Sequence, residues 1–189
     1  MKWLSSDVDQ LNRLDTCMLN LSGQTLTDET FAGFTIEAIH RSRVPGNKIC
    51  FEITETVAIA NLSKARTLIK ELKAVGCRFA LDDFGSGMSS YAYLKTLPVD
   101  FIKIDGIFVK DILTDPVDTA MVRSINEIGH IMGKKTIAEY VENEAIMQKL
   151  QELDVDFGQG FGIAKPEIIS GIRPPTEFKL GQMPPELSA

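Results

Sequence analysis

The residues best suited to chemistry lie in the segment Phe79–Gly87, where an apolar run ends in two adjacent carboxylates and a glycine-rich turn. Two neighbouring carboxylates at the end of a buried strand are unfavourable unless a cation neutralises them, so Asp82 and Asp83 suggest a divalent metal ion. Glycines at 85 and 87 permit a sharp turn that could bring backbone amides and the Ser86 hydroxyl over a ligand. A purely structural alternative is that Asp83 caps the following helix and Asp82 lies in a turn.

Length and composition indicate one folded domain with a sizeable core. The chain has 189 residues, 44% of them hydrophobic, and a mean hydropathy of +0.01. Its net charge of −6 argues against binding to a nucleic acid polymer, which requires a basic face, although a small anionic ligand remains possible if metal ions supply positive charge. No apolar stretch is long enough to span a bilayer, so we expect no membrane contact by this segment.

Three cysteines, Cys17, Cys50 and Cys77, lie far apart in or beside apolar segments and lack metal-ligand spacing. They predict buried free thiols in a reducing cytoplasm, although absent domains of a longer parent protein could anchor it to a membrane.

Short apolar runs alternate with amphipathic helical segments along the chain, which predicts parallel βα units and an α/β fold. The helices include one opened by Thr27-Asp28-Glu29 and a short one at Val109–Leu113. From Pro166 onward the composition predicts an irregular tail. The predicted strands are Cys17–Ser22, Lys48–Glu55, the run from Phe79 into the two aspartates, Phe101–Asp105, Thr136–Glu139 and Val155–Gly160.

Polar residues occur near the carboxyl end of every predicted strand, which in a (βα) barrel is the functional face. A turn or a salt bridge could explain any one of them, but explains the whole set poorly. Together they form an oxygen-rich site suited to Mg²⁺ or Mn²⁺, and two ions bridged by Asp82 would suit phosphodiester hydrolysis, with Lys103 orienting the attacking water. The residues are Asn20, Glu52, Asp82, Asp83, Lys103, Glu139 and Gln159. A Schiff-base aldolase that uses Lys103 is a further alternative, disfavoured by the surrounding carboxylates.

Seven short motifs, in this order, resemble those of the EAL-domain phosphodiesterases, bacterial enzymes that open cyclic di-GMP to linear pGpG. The resemblance extends from about Trp3 to Pro166 and implies a TIM-like (βα) barrel. The motifs are Asn20-Leu21-Ser22, Glu52-Ile53-Thr54-Glu55, Asp82 to Gly87 with Ser89-Ser90, Leu97-Pro98-Val99-Asp100, Lys103-Ile104-Asp105, Ala138 to Glu142 and Gln159-Gly160-Phe161.

The resemblance also implies a role for each motif residue. Asn20, Glu52, Asp82 and Asp83 would bind metal, and Glu139 would bind metal or its water. Lys103 would contact the nucleophilic water, and Gln159, Ser86 and Asp105 would support the substrate and the site. Glu55 would hold the loop around Asp83–Ser90, which in this family couples the site to a dimer interface.

The Glu-Ala-Leu segment that names the family, with its metal-binding Glu, would precede Met1 and is missing from these residues. We therefore expect an N-terminally incomplete barrel of about six βα units over residues 1–166, followed by the tail of residues 167–189. We also expect the 189-residue chain to hydrolyse cyclic di-GMP poorly or not at all. The alternative is a non-catalytic module that binds cyclic di-GMP or a protein partner.

An incomplete barrel exposes sheet edges and part of its core, so we predict that the chain self-associates, in the simplest case as a homodimer. The tail, a second copy, or both would cover the gap. Light scattering or sedimentation measures the oligomeric state. A monomer that binds no dye specific for exposed apolar surface would contradict this prediction.

Overall fold

The computed structural model describes residues 4–5, 8–87, 91–166 and 178–179. It divides into two compact units, one of residues 1–82 with 89–100 and the other of residues 83–88 with 101–189. The division falls between Asp82 and Asp83, inside a single strand.

The first unit contains parallel strands that alternate with helices. Its strands are β1 (Cys17–Asn20), β2 (Ile49–Thr54) and β3 (Arg78–Phe84), of which the last two residues belong to the second unit. Its helices are α1 (Val8–Arg13), α2 (Gly23–Thr27), α3 (Phe31–Ser42), α4 (Glu55–Ala60), α5 (Leu62–Ala74) and α6 (Tyr91–Leu94), with a 3₁₀ turn at Gly46–Lys48. Both β1 with β2 and β2 with β3 pair in parallel, as the alternating pattern predicts.

The core of the first unit forms where the apolar stripe of α5 meets the sheet. Leu68, Ile69 and Leu72 recur at helical spacing and are all buried. On the sheet, the rings of Phe51 and Phe79 lie 5.5 Å apart between centroids. This packing fixes the positions of β2 and β3, which carry polar residues of the candidate site.

The second unit repeats the same arrangement. It contains β4 (Phe101–Ile104), α7 (Gly106–Val109), α8 (Pro116–Ile131), β5 (Lys135–Ala138), α9 (Glu144–Glu152), β6 (Phe157–Gly158) and β7 (Phe178–Lys179). The strands β4, β5 and β6 are parallel neighbours. The predicted α/β class and its six parallel strands are therefore confirmed, three strands in each unit.

The tail differs from its prediction at one place. Phe178–Lys179 form β7, which pairs antiparallel with β6, so this part of the tail is not irregular. The backbone groups of an edge strand remain available to any segment that reaches them, whatever its side chains, which is why composition does not reveal such a pairing. The other residues of the predicted tail lie outside the described residues.

Two helices begin at positions that differ from the predicted ones because of local side-chain hydrogen bonds. The helix placed at Val109–Leu113 begins at Gly106, because Asp105 accepts a hydrogen bond from the Ile107 amide at 2.9 Å. The helix expected to open at Thr27 begins at Phe31, because the Asp28 carboxylate accepts a bond from the Thr30 amide at 2.8 Å and forms a turn of its own.

A buried polar network joins α8 to β5 and to the segment before β6. The Asn126 side chain, on α8, donates to the Leu153 carbonyl at 2.9 Å and accepts from the Thr136 hydroxyl. The Thr136 amide donates to the Asp156 carboxylate at 2.9 Å. Asn126 is 2% exposed and Thr136 is fully buried, so water cannot replace the hydrogen bonds of Asn126 if its side chain is removed.

We predict that Asn126→Ala lowers the free energy of unfolding by about 2 to 4 kcal/mol, because it deletes three hydrogen bonds, to the Leu153 and Asp154 carbonyls and from the Thr136 hydroxyl, at a buried position. Urea denaturation followed by circular dichroism measures the change. The control is Glu127→Ala on the exposed face of the same helix, which should change stability by less than about 0.5 kcal/mol. Equal losses in the two variants would show that the network contributes nothing specific.

Candidate functional site

The two aspartates of β3 converge because the backbone departs from regular strand geometry. Successive side chains of a strand normally point to opposite faces. Asp83, however, has a left-handed φ of 54°, which interrupts the alternation. As a result, Asp82 and Asp83 each offer a carboxylate oxygen within 4.8 Å of the other. Aspartate adopts this conformation more readily than most residues other than glycine, so the strand can turn at Asp83 without a glycine there.

The turn after these aspartates requires glycine at position 85 for two reasons. Gly85 has a φ of 99°, and a Cβ there would lie 2.9 Å from the Phe108 ring. Ser86 follows and donates its hydroxyl to the Asp83 carbonyl at 2.9 Å. The predicted sharp turn is therefore present. The Ser86 hydroxyl closes that turn in this structure.

Glu139 brings a further carboxylate to Asp83. It follows β5 directly, and its amide donates to the Ile104 carbonyl at 3.2 Å, which fixes it beside the end of β4. Asp83 and Glu139 also offer carboxylate oxygens within 4.8 Å of one another. Like charges at this separation repel, and a counter-charge nearby relieves the repulsion.

Lys103 supplies part of that counter-charge. Its ammonium lies 2.7 Å from the Glu139 carboxylate, and the residue is only 3% exposed. Lys103 is in register with Ile137, so Lys103 and Glu139 lie on the same face of the sheet. The single positive charge of Lys103 offsets one of the two negative charges that Asp83 and Glu139 bring. The hard carboxylate oxygens of this pair suit a divalent cation such as Mg²⁺ or Mn²⁺.

In the first unit, the register of the strands aligns the remaining predicted ligands. Asn20 pairs with Glu52, and Thr54 pairs with Asp82. Because Glu52 and Thr54 are two residues apart on β2, Asn20, Glu52 and Asp82 share one face. Glu52 lies inside β2 rather than at its end and is 7% exposed. Its place beside Asn20 and Asp82 therefore follows from the face of the strand on which it lies, not from being the last residue of the strand. That all seven predicted residues meet in one site at the carboxyl ends of the strands stays a prediction.

Glu55 is 2% exposed and accepts a hydrogen bond from the Tyr93 hydroxyl. Burial, and then the hydrogen bond to Glu55, raise the pKa of Tyr93 well above its ordinary value, so the phenol stays protonated and keeps donating. Tyr93 lies in α6, the first helix after residues 88–90. Residues 88–90 themselves lie outside the described residues, so the role of Glu55 as anchor of the whole loop stays a prediction.

Gln159 and Asp105 are held by local hydrogen bonds beside Glu139. The backbone N–H of Gln159 donates to the Ala138 carbonyl at 2.8 Å, and the backbone carbonyl of Gln159 accepts from the Val141 N–H at 3.0 Å. Asp105 uses one carboxylate oxygen to cap α7. Both residues line the same pocket as Glu139, which places the predicted support residues next to a predicted metal ligand.

The pocket has a volume of about 560 Å³ and lies entirely within the second unit. Its walls include Ile107, Tyr140 and Phe161, three large apolar side chains that are 45%, 55% and 64% exposed. The sequence motifs contained Tyr140 and Phe161 without indicating a role for them. Their position in the sequence could have indicated that they lie near the site, because Tyr140 directly follows Glu139 and Phe161 comes two residues after Gln159.

The three cysteines carry no site in the part of the chain that the structure describes. All are free thiols; Cys50 and Cys77 are buried, and Cys17 is partly exposed. Burial raises the pKa of Cys77 to about 11, so it remains an unreactive thiol. Across the described residues, we also found no helix with the length and hydropathy needed to cross a membrane.

Comparisons with known proteins agree with the motif series. The EAL domain model matches residues 2–166. The chain is 39% identical over 180 residues, 95% of its length, to the cyclic di-GMP phosphodiesterase PdeB of Shewanella oneidensis, of which it covers 21%. It is 42% identical over 158 residues, 84% of its length, to the cyclic di-GMP phosphodiesterase PdeA of Borreliella burgdorferi, of which it covers 24%.

Solved structures give the same result for the fold. The chain matches the PaMucR phosphodiesterase in complex with c-di-GMP with a TM-score of 0.76 and 31% identity, over 80% of this chain and 61% of that one. It therefore spans about a fifth to a quarter of the length of these two curated relatives and about three fifths of the solved chain. The match confirms the expected barrel-type α/β fold, and with the family match over residues 2–166 it shows that this chain belongs to the EAL domain family.

Proposed function

We propose that this chain carries the metal-binding carboxylates and the lysine with which a cyclic di-GMP phosphodiesterase opens its substrate to linear pGpG. The observation that carries the proposal is the cluster around Asp83. Its carboxylate and that of Glu139 lie within 4.8 Å, and the buried Lys103 lies 2.7 Å from Glu139. The two named relatives and the solved neighbour, which act on or bind cyclic di-GMP, support this choice of substrate.

Phosphodiesterases of this family depend on metal ions, and the carboxylates of this chain fit such ions. We assign Asp82, Asp83 and Glu139 as metal ligands, with Asn20 and Glu52 as further ligands from β1 and β2. Two Mg²⁺ or Mn²⁺ ions would polarise the scissile phosphate and acidify the water that attacks it.

The protein's own groups then have separate tasks. Glu139 holds the Lys103 ammonium by their ion pair, and that ammonium donates hydrogen bonds to the attacking water or to a phosphate oxygen. Gln159, pinned by its backbone hydrogen bonds, contacts the substrate beside Glu139. Lys103 is almost fully buried, so its neighbours hold its side chain in one orientation. The same packing keeps bulk water away from this side of the site.

The ion pair also disfavours the aldolase alternative. Schiff-base formation requires an amine lone pair that is free to attack a carbonyl, whereas the Lys103 side chain is held in an ion pair with the Glu139 carboxylate at 2.7 Å. Borohydride trapping with a carbonyl substrate would reveal a covalent adduct if this inference were wrong.

We predict that Asp83→Asn weakens Mn²⁺ binding by at least about tenfold, because it removes a charged ligand from the cluster. The matched control is Asp154→Asn, since Asp154 is also an exposed aspartate with a left-handed φ, of 63° against 54° for Asp83. Asparagine tolerates this conformation, so both variants should fold. Calorimetric titration with Mn²⁺ measures the affinities, and equal affinities for the two variants would remove Asp83 from the metal site.

We predict that Lys103→Met lowers the rate of pGpG formation by at least about 100-fold, because an ammonium that positions water is lost. Single-turnover conditions, with enzyme in excess, Mn²⁺ and labelled cyclic di-GMP, detect even a slow reaction by chromatography. Lys70→Met, on the exposed face of α5, is the control and should leave the rate unchanged.

The single-turnover experiment on the unaltered chain also distinguishes a hydrolase from a non-catalytic module that only binds cyclic di-GMP. Binding of cyclic di-GMP without any pGpG would replace the proposed hydrolase by a binding module. If the chain neither binds nor cleaves this nucleotide, the proposed function is wrong.

A further inference from the structure

A set of side-chain hydrogen bonds holds the amino end of β3 in the first unit. The Asp100 carboxylate accepts a hydrogen bond from the backbone N–H of Phe79 at 2.9 Å, while the backbone N–H of Asp100 donates to the Phe79 carbonyl at 2.8 Å. Lys73, in the last turn of α5, forms an ion pair with the same carboxylate. We call this set of a basic side chain, a carboxylate and a strand N–H an amino-end clamp.

The second unit contains the same clamp at the amino end of β5. Asp156, one residue before β6, accepts a hydrogen bond from the backbone N–H of Thr136 at 2.9 Å. His130, in the last turn of α8, lies 2.8 Å from the carboxylate oxygen that takes this bond. Asp156 and His130 therefore occupy the positions that Asp100 and Lys73 occupy in the first unit.

The amino-acid sequence repeats together with the clamp. In each unit the strand residue comes six positions after the basic residue of the helix, with Gly76 or Gly133 midway, each at a positive φ. Each clamp aspartate lies between a buried valine and a phenylalanine. The two segments are Val99-Asp100-Phe101 and Val155-Asp156-Phe157. Recurrence of both the sequence and the hydrogen bonds indicates a role common to the two units.

A predicted site residue follows each clamped position at a constant distance of three residues. The four pairs are Phe79 with Asp82, Asp100 with Lys103, Thr136 with Glu139 and Asp156 with Gln159. Three residues span about 10 Å in a strand, so each clamp restrains a strand at one end while the predicted site residue lies near the other. This spacing connects the amino-end clamps to the candidate site.

The short strand β6 depends on its clamp more than β5 does. Its register with β5 comprises two residue pairs, whereas four pairs join β4 to β5. Gln159, which follows β6, is exposed, so packing around its own side chain contributes little to its position. The hydrogen bonds between Asp156 and Thr136 therefore supply a restraint that a two-residue strand lacks.

Glu139 is held mainly from the other side, by β4. Its backbone N–H donates to the Ile104 carbonyl at 3.2 Å, and the Lys103 ammonium lies 2.7 Å from its carboxylate. Removal of the Asp156 carboxylate should therefore displace Gln159 and leave Glu139 in place.

We infer that Asp156 is a positioning residue for Gln159 and acts from the opposite end of β6. Its carboxylate fixes β6 against β5 through Thr136, and His130 orients that carboxylate from α8. The inference rests on the proposed function, because it takes Gln159 as a residue that contacts cyclic di-GMP. Asp156 itself contacts neither substrate nor metal and acts through another side chain.

A double-mutant cycle tests the inference by calorimetric titration of cyclic di-GMP into the full chain in the presence of Ca²⁺. Chromatography after each titration checks that the nucleotide is intact. We expect Asp156→Ala and Gln159→Ala each to weaken binding by about tenfold, and the double variant to bind no more weakly than Gln159→Ala alone. A merely structural role of Asp156 would instead give losses that multiply to about 100-fold.

The conservative variant Asp156→Asn keeps an oxygen that can accept from the Thr136 N–H, so its affinity should stay within about threefold of the unaltered chain. If Asp156→Ala does not fold, His130→Gln replaces it in the cycle. This variant leaves the Asp156 carboxylate in place without its basic partner and should weaken binding by about threefold, again only while Gln159 is present.

Asp100→Ala is the matched control, because it removes the equivalent clamp from the first unit. Its effect on cyclic di-GMP binding should multiply with that of Gln159→Ala, since it restrains a different strand. Mn²⁺ affinity should stay unchanged in Asp156→Ala, which separates the positioning of Gln159 from damage to the carboxylate cluster.

Three results would overturn the inference while the proposed function stands. They are multiplying losses in the cycle with Asp156, unchanged binding in both Asp156→Ala and His130→Gln, and unchanged binding in Gln159→Ala. If the unaltered chain binds no cyclic di-GMP, the proposed function fails, and this inference fails with it.

Discussion

Electrostatic repulsion between neighbouring carboxylates is the constraint on which the rest of this site depends. Asp83 and Glu139 offer oxygens within 4.8 Å, and the buried Lys103 offsets part of their charge. Such an arrangement stays folded because the strands that carry it are fixed by apolar packing elsewhere. Ile102 and Ile104, on either side of Lys103 in β4, are fully buried, and so are Ile137 and Ala138 before Glu139 in β5. The fold thus tolerates a locally unfavourable charge cluster, and a divalent cation would relieve it.

Two left-handed residues of the second unit lie next to predicted metal ligands. Asp83 and Tyr140 each have a left-handed φ, and each follows directly after a predicted metal ligand. At Asp83 the departure from strand geometry turns two successive carboxylates to one side. At Tyr140 it presents an aromatic ring to the pocket. The nearby glycines at 85 and 106 leave the space that these conformations need, since a Cβ at either would contact a neighbouring side chain at 2.9 or 2.7 Å.

The interpretation of the chain as an EAL-family phosphodiesterase combines two kinds of support. The family match covers residues 2–166, and the geometry brings a lysine and carboxylates of the motif series together in space.

The amino-acid sequence alone predicted the class of fold, which is confirmed, and a set of candidate site residues, which stays a prediction. Alternating apolar runs and amphipathic helices predicted the parallel strands. A buried strand requires a short continuous apolar run, and a helix that covers it requires apolar residues three and four positions apart. Oxygen-bearing side chains near successive strand ends predicted a metal site, because parallel strands direct their carboxyl ends to one edge. The helix that opens with Pro116 and the cap of α9 by Asn143 were also predictable, since both depend on neighbours in the chain.

Only the tertiary structure decided the features that depend on distant contacts. The left-handed turn at Asp83, the hydrogen bond from Tyr93 to Glu55 and the pairing of β7 with β6 leave no local pattern in the sequence. The pocket is a further example, because Tyr140 becomes significant only when Gly106, 34 positions earlier, is seen to make room for it. Local composition reports which faces are buried, whereas the convergence of side chains requires segments from different βα units to meet in space.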